Sequence, residues 1–255
     1  MLFNHSSSAS QWAFSSGEMI IEAGDGVLDI VYPKPGKPRA RKVVSRSNAR
    51  PTGKFPSWKM NRHMQWESLH ERNAMRLLDA TPAVRAFHEQ PLTLHYVLHG
   101  QRHLHYPDLL VQTDKGQQLW EIKPAEEARR DEFVERTQLL CACLPARGFD
   151  YRLVVAEQLA QEPRLSNAVT LLKFGRQPVG DLERERVRQI LLSAPGISWA
   201  AASHGVLGAR GRAVLCRLAL EGVLYIDMNR KLDGTTDFKT RDTESIECEL
   251  ASHTS

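Results

Sequence analysis

Four cysteines are spread over 255 residues, Cys141, Cys143, Cys216 and Cys248, and they form neither a CxxC pair nor a zinc-ligand spacing. This argues against a disulfide framework and a zinc finger, and fits reduced thiols in a cytosolic protein. No stretch approaches the roughly 18 apolar residues that would span a membrane. The opening MLFNHSSSASQWAF lacks both a basic leader and a continuous apolar run, so no secretory signal is expected. There is no GxxxxGK[ST] loop to cradle a nucleotide triphosphate and no GxSxG elbow for a serine hydrolase. With 42% hydrophobic and 25% charged residues, the chain has an ordinary globular composition, long enough for one large domain or two smaller ones.

Acidic residues are missing from one long segment. From Lys34 to Arg62 the charged residues are Lys34, Lys37, Arg39, Arg41, Lys42, Arg46, Arg50, Lys54, Lys59 and Arg62, with no Asp or Glu between them. Such a segment carries a strong local positive field. Its Pro and Gly content disfavours a long helix, leaving an extended arm, either a solvated linker or a strip that follows a phosphate backbone and releases counterions. Arg41, Lys42, Arg46, Lys54, Lys59 and Arg62 are the candidate DNA contacts of this arm.

The pattern changes at Trp66. MIIEAGDGVLDIVY before the arm predicts a short hairpin around Gly24-Asp25-Gly26. In WESLHERNAMRLLDATPAV, Leu69, Met75, Leu77 and Leu78 fall near helical spacing, Ser68 precedes a first turn containing Glu71, and Thr81-Pro82 ends the helix. FHEQPLTLHYVLHGQRHLHYPDLLV predicts strands with a turn near Gly100. Asp114-Lys115-Gly116 separates two further strand patterns. AEEARRDEFVERTQLLCACL predicts an amphipathic helix, and YRLVVAEQL another strand. The expected fold class is α/β. A second unit starts near Asp181, with three helical patterns and a β-hairpin around Asp233-Gly234. That order matches a winged helix-turn-helix, which binds DNA or protein, with Arg210, Arg212 and Arg217 on or near its recognition helix. The expected organisation is an N-terminal segment with the basic arm (1–62), an α/β domain (63–165), a winged-helix-like domain (175–240) and a polar tail (241–255).

The stretch HYPDLLVQTDKGQQLWEIKP carries the candidate chemistry. Successive side chains of a strand point to opposite faces, so Glu121 and Lys123 share one face while Trp120 and Ile122 fill a core on the other. Asp108 precedes the partner strand, which places it beside Glu121. Two neighbouring carboxylates repel, and a bridging divalent cation relieves that repulsion. Glu71 is a third candidate ligand, and Lys123 is suited to orienting water or stabilising charge on a phosphate. Hard oxygen ligands favour Mg²⁺ or Mn²⁺. The competing reading is an ordinary hairpin with a solvent-facing Glu-Lys pair. His95, His99, His103 and His105 pose a similar choice between a zinc site and a solvated His-rich hairpin, the second being simpler.

The run ES-x-x-E at Glu67–Glu71, P-x-V-x-x-F-x-EQP at Pro82–Pro91, YPD ending at Asp108 and E-x-KP from Glu121 resembles the TnsA family of transposon-end endonucleases. The resemblance covers residues 41–124. It implies a restriction-endonuclease-like PD-(D/E)xK core, a mixed sheet flanked by helices, followed by a smaller winged-helix-like region. It also implies Glu71, Asp108, Glu121 and Lys123 as catalytic residues, with the three carboxylates binding Mg²⁺ (Mn²⁺ as substitute). Glu89 and Gln90 would support the site. The implied function is hydrolysis at the 5′ ends of a transposon, leaving 5′-phosphate and 3′-hydroxyl. The implied partners are double-stranded DNA, a DDE-type TnsB-like transposase and an AAA+ TnsC-like ATPase regulator, and the implied compartment is the bacterial cytoplasm. The alternatives are a stand-alone restriction or repair nuclease and a noncatalytic DNA-binding assembly protein with a vestigial site.

Overall fold

The computed structural model describes residues 24–36, 39–40 and 51–240. The first half of the expected Gly24-Asp25-Gly26 hairpin, the arm residues Arg41, Lys42 and Arg46, and the tail at 241–255 lie outside the described residues. In chain order the elements begin with β1 (Gly26–Val31), β2 (Gly53–Ser57), β3 (Arg62–Trp66), α1 (Leu69–Ala80) and β4 (Val84–Glu89). They continue with β5 (Thr93–Leu98), β6 (Gln101–His105), β7 (Leu109–Thr113) and β8 (Gly116–Lys123). Helices α2 (Ala125–Ala128) and α3 (Asp131–Cys143) lead to β9 (Phe149–Val155) and α4 (Arg164–Phe174). The chain then forms α5 (Asp181–Leu191), β10 (Ile197–Ser198), α6 (Trp199–Ser203), α7 (Gly211–Leu220), β11 (Leu224–Tyr225) and β12 (Asp237–Thr240).

The fold is mixed α/β. Its main sheet has the order β4-β7-β8-β9, antiparallel except for the parallel pair β8-β9, which α2 and α3 connect. Strict alternation along these strands gives the sheet two covered faces. Phe87, Leu109, Val111 and Ile122 join α1 in one core, while Leu110, Leu119 and Tyr151 join Leu139 and Leu140 of α3 in another. A second sheet, β1-β5-β6, contributes Val27, Leu94 and Tyr96 to the α3 side. The turn of β5-β6 consists of His99 and Gly100, both with positive φ, as a two-residue hairpin of the mirror-image type requires. Both amides donate to the Asp25 carboxylate at 2.9 and 3.1 Å. β1 pairs with β5.

The end of the expected basic arm is a hairpin. β2 and β3 pair antiparallel from Gly53↔Trp66 to Ser57↔Arg62, and Phe55 and Met64 enter the α1 core. Apolar residues at alternate positions outweigh the surrounding charge here. The buried Asp79 at the end of α1 anchors the turn, accepting from the Ser57 hydroxyl at 2.5 Å and from the Trp58 and Lys59 amides at 3.2 Å. Lys59 points inward. Its ammonium donates to the carbonyls of Leu78, Thr81 and Val84 at 3.2, 2.6 and 2.6 Å, tying the end of α1 to the start of β4. Burial lowers its pKa to about 8, against the pull of Asp79.

The apolar core does not stop at the expected boundary near residue 165. Helix α4, which lacks a side-chain cap and a strong apolar stripe, packs between α1 and α7. Its buried Asn167 donates to the Met228 and Arg230 carbonyls at 2.9 and 2.8 Å and accepts from the Leu232 amide at 3.0 Å. The C-terminal unit contains α5, α6 and α7 and a three-stranded sheet of order β10-β12-β11. Asp233-Gly234 is not the tip of a tight hairpin. Asp233 turns the chain by accepting from the amide and hydroxyl of Thr235, inside a long loop between β11 and β12. No helix among the described residues is long and apolar enough to cross a membrane.

Replacing Lys59 by Met removes the ammonium donor that three carbonyls share. Urea unfolding should show a loss of about 1–3 kcal/mol, with affinity for a DNA duplex unchanged. A weakened duplex affinity at full stability would return Lys59 to the phosphate-binding residues.

Candidate active site

The site grows from the register of one hairpin. Leu109 lies opposite Trp120, so the next pair outward is Asp108 and Glu121, on one face. The Asp108 amide donates to the Trp120 carbonyl at 2.8 Å, and the Asp108 Oδ2 accepts from the Ile122 amide at 2.7 Å. These bonds fix the carboxyl at the hairpin end, as the sequence spacing predicts. Burial first, then the negative charges of Glu121 and Glu71, push the Asp108 carboxyl well above the usual carboxylate range. The Ile122 amide and Lys123 oppose that shift less strongly.

Glu121 is not the solvent-facing strand residue of the bland reading, because it is only 4% exposed. Lys123 Nζ lies 3.1 Å and Arg136 Nη2 3.3 Å from the same oxygen, Oε1. His105 Nε2 is 3.4 Å from the other oxygen. Burial and the nearby cations Arg136 and Lys123 hold His105 well below its ordinary pKa. The Tyr151 hydroxyl meets the same ring nitrogen at 2.9 Å. Lys123 occupies the mouth of the site, a quarter exposed.

Glu71 arrives from the start of α1 and has a second task there. Ser68 Oγ accepts from the Glu71 amide at 3.1 Å, while the Glu71 carboxylate accepts from the Ser68 hydroxyl at 3.0 Å and the Glu67 amide at 2.9 Å. Burial raises its pKa despite these bonds. Glu67, one turn away, accepts instead from the side-chain amide of Gln90. Gln90 has a positive φ of 43°, donates its backbone amide to the Asp108 carbonyl at 2.9 Å, and so links α1, β4 and the Asp108 strand. Glu89 is buried and paired with Arg62 through two bonds of 2.8 and 2.7 Å.

Sequence reasoning missed Arg136, Tyr96 and Tyr151. The signal in Arg136 was its place on α3 with Phe133 and Leu140, three and four residues away on one helical face, where a charge needs a buried partner. The histidines divide as well. His105 is buried behind Glu121, His103 stacks on Tyr96 and His99 meets Glu135 at 3.0 Å. Among the described residues, no group of three His, Cys, Asp or Glu is gathered closely enough to hold a metal ion by itself.

The other candidate DNA contacts are scattered. Lys54 is exposed on β2, Arg62 is held by Glu89, and Lys59 faces inward. Arg210 binds the Pro178 carbonyl at 3.0 Å and Glu183 at 3.3 Å. Arg212 covers the Phe174 and Trp199 rings, and Arg217 pairs with Glu221 at 2.6 Å over the Trp58 ring.

Residues 81–156 match the family model described as TnsA-like endonuclease N terminal. The match supports a TnsA-like endonuclease, a nuclease of transposition. It contains Asp108, Glu121 and Lys123 together with Arg136, His105 and Tyr151, and it begins after Glu71. No curated protein sequence matches the chain.

Ser68→Ala removes the side-chain acceptor of the cap and should lower stability by about 1 kcal/mol in urea unfolding. Glu71→Gln keeps an acceptor there and should unfold nearer to the unaltered protein than Glu71→Ala does. Equal losses for both Glu71 variants would remove the carboxyl group from the cap.

Proposed function

We propose that the chain is a metal-dependent DNA endonuclease of the PD-(D/E)xK type, cutting phosphodiester bonds at the 5′ ends of a transposon and leaving 5′-phosphate and 3′-hydroxyl ends. The observation that carries this reading is the Asp108–Glu121 pair at one hairpin end, with Lys123 at its mouth, inside the segment that matches the TnsA-like endonuclease model.

The donor set fits Mg²⁺ in its usual manner. Magnesium takes one or two carboxylates and completes its shell with water and substrate phosphate oxygens, so it does not require three gathered protein carboxylates. Asp108 and Glu121 would hold it, with Glu71, whose two oxygens both serve the cap, reaching the same ion through water. When bound, the ion supplies an acidified water and charge neutralisation on the phosphate. Asp108 has the clearest electrostatic demand for a cation, since burial and then two neighbouring carboxylates disfavour its charge. Lys123 is placed to orient the attacking water and to meet charge that develops on the phosphate. The main sheet and Gln90 hold these groups in a fixed frame.

We read the unit of α5, α6 and α7 with the β10-β12-β11 sheet as winged-helix-like. The arginines of its candidate recognition helix are engaged within the protein, which favours a protein partner for this unit over the DNA major groove. A heteromeric assembly with a TnsB-like transposase that cuts the 3′ ends, under a TnsC-like ATPase regulator, fits a nuclease whose own base-reading surface is small.

Calorimetric titration of Mn²⁺ into the full chain, with and without a duplex carrying the element end, should show saturable binding that Asp108→Ala abolishes. Binding that survives in Asp108→Ala, or no binding in either condition, would discard the metal site. Lys123→Ala should keep the Mn²⁺ affinity and lower cutting by about 100- to 10,000-fold. Loss of metal binding in that variant would make Lys123 a structural support of the carboxylates.

A further inference from the structure

Arg136 is the charged group that this reaction leaves without a task. It stands on the covered side of α3, its side chain 17% exposed, with its guanidinium over the Phe133 ring at 4.9 Å. Its guanidinium also interacts electrostatically with the side chains of Tyr151 and Tyr96, two residues that are each only 4% exposed. Lys123 lies over the same Phe133 ring at 5.2 Å. Two cations therefore converge on one oxygen of Glu121, Arg136 at 3.3 Å and Lys123 at 3.1 Å.

The two cations differ in burial, Arg136 at 17% and Lys123 at 25% side-chain exposure. Arg136 is held by two buried tyrosines and a helix. Lys123 sits at the strand end on a flexible four-carbon stem, closer to solvent. A carboxylate as buried as Glu121 cannot lose its only positive partner without a large cost. If Lys123 were that only partner, it would be locked in place and unable to meet a phosphate.

We propose that Arg136 is a positioning residue that keeps Glu121 paired, so that Lys123 can leave the carboxylate and turn to the DNA. This rests on the nuclease reading of the same site and adds to it the group that frees the lysine. No covalent change is involved, only an exchange of partners around Glu121.

The test reads the lysine directly. The full chain is treated briefly with acetic anhydride in the absence of metal, and acetylation of Lys123 is followed by peptide mass spectrometry. In Arg136→Gln the lysine becomes the main partner of Glu121, and its labelling should fall by roughly threefold to tenfold, the net worth of one ordinary hydrogen bond. Arg136→Lys should restore labelling toward the unaltered level. Tyr151→Phe preserves the ring packing while loosening Arg136, so it should move labelling in the same direction as Arg136→Gln by a smaller factor. It serves as the test if Arg136→Gln does not fold. With Mg²⁺ and duplex, Arg136→Gln should lower kcat by about 10- to 100-fold with KM little changed, and Arg136→Lys should recover part of the loss. Unchanged labelling in the folded variants, or an effect on KM alone, would overturn the proposal. Reduced labelling in a protein whose unaltered form neither binds Mn²⁺ nor cuts would keep the partner exchange and discard the nuclease reading.

Discussion

Asp108 and Glu121 face one another across the end of an antiparallel ladder, in a place where burial and mutual repulsion both disfavour their charges. The ladder leaves them no choice. With Leu109 opposite Trp120, a one-residue slip of β7 would send Leu109 and Val111 out of the α1 core and Leu110 out of the α3 core. The apolar register is worth far more than the repulsion, so the carboxylates stay together and the surroundings adapt. Arg136, Lys123, His105 and Tyr151 surround Glu121, while a backbone amide supports Asp108.

The same economy governs the other charged residues. Lys59 closes the carbonyls at the end of α1, Arg62 satisfies the buried Glu89, and Arg217 joins Glu221 and the Trp58 ring. Each of these cations is consumed by the fold. The positive field that the sequence suggests is thus weaker at these positions than a count of Lys and Arg implies. Continuity of the core through α4 has a related consequence. Asn167 fastens the 226–236 loop to a helix that also packs on α1, so the C-terminal unit is held to the nuclease side by shared apolar surface and buried hydrogen bonds.

Local signals in the sequence proved readable where one short-range force decided the outcome. Ser68 and Glu71 announce the start of α1, Thr81-Pro82 its end, and Asp114-Lys115-Gly116 the turn that places Asp108 beside Glu121. Signals failed where a distant partner decided. β1 pairs with β5, far along the chain, which no local pattern announces. The β2-β3 hairpin was hidden under basic residues, since charge count says nothing about Phe55 and Met64 on the inner face. α4 carries neither cap nor strong stripe and owes its existence to packing on both sides.

The sequence by itself determined the α/β class, the capped helix that brings Glu71, and the hairpin geometry of Asp108, Glu121 and Lys123, because each follows from spacings of a few residues. Only the tertiary structure decided that Glu121 is buried, that Arg136 and His105 stand behind it, and that Lys59 and Arg62 serve the fold. Those outcomes depend on which segments, far apart in the chain, come to exclude water from the same place.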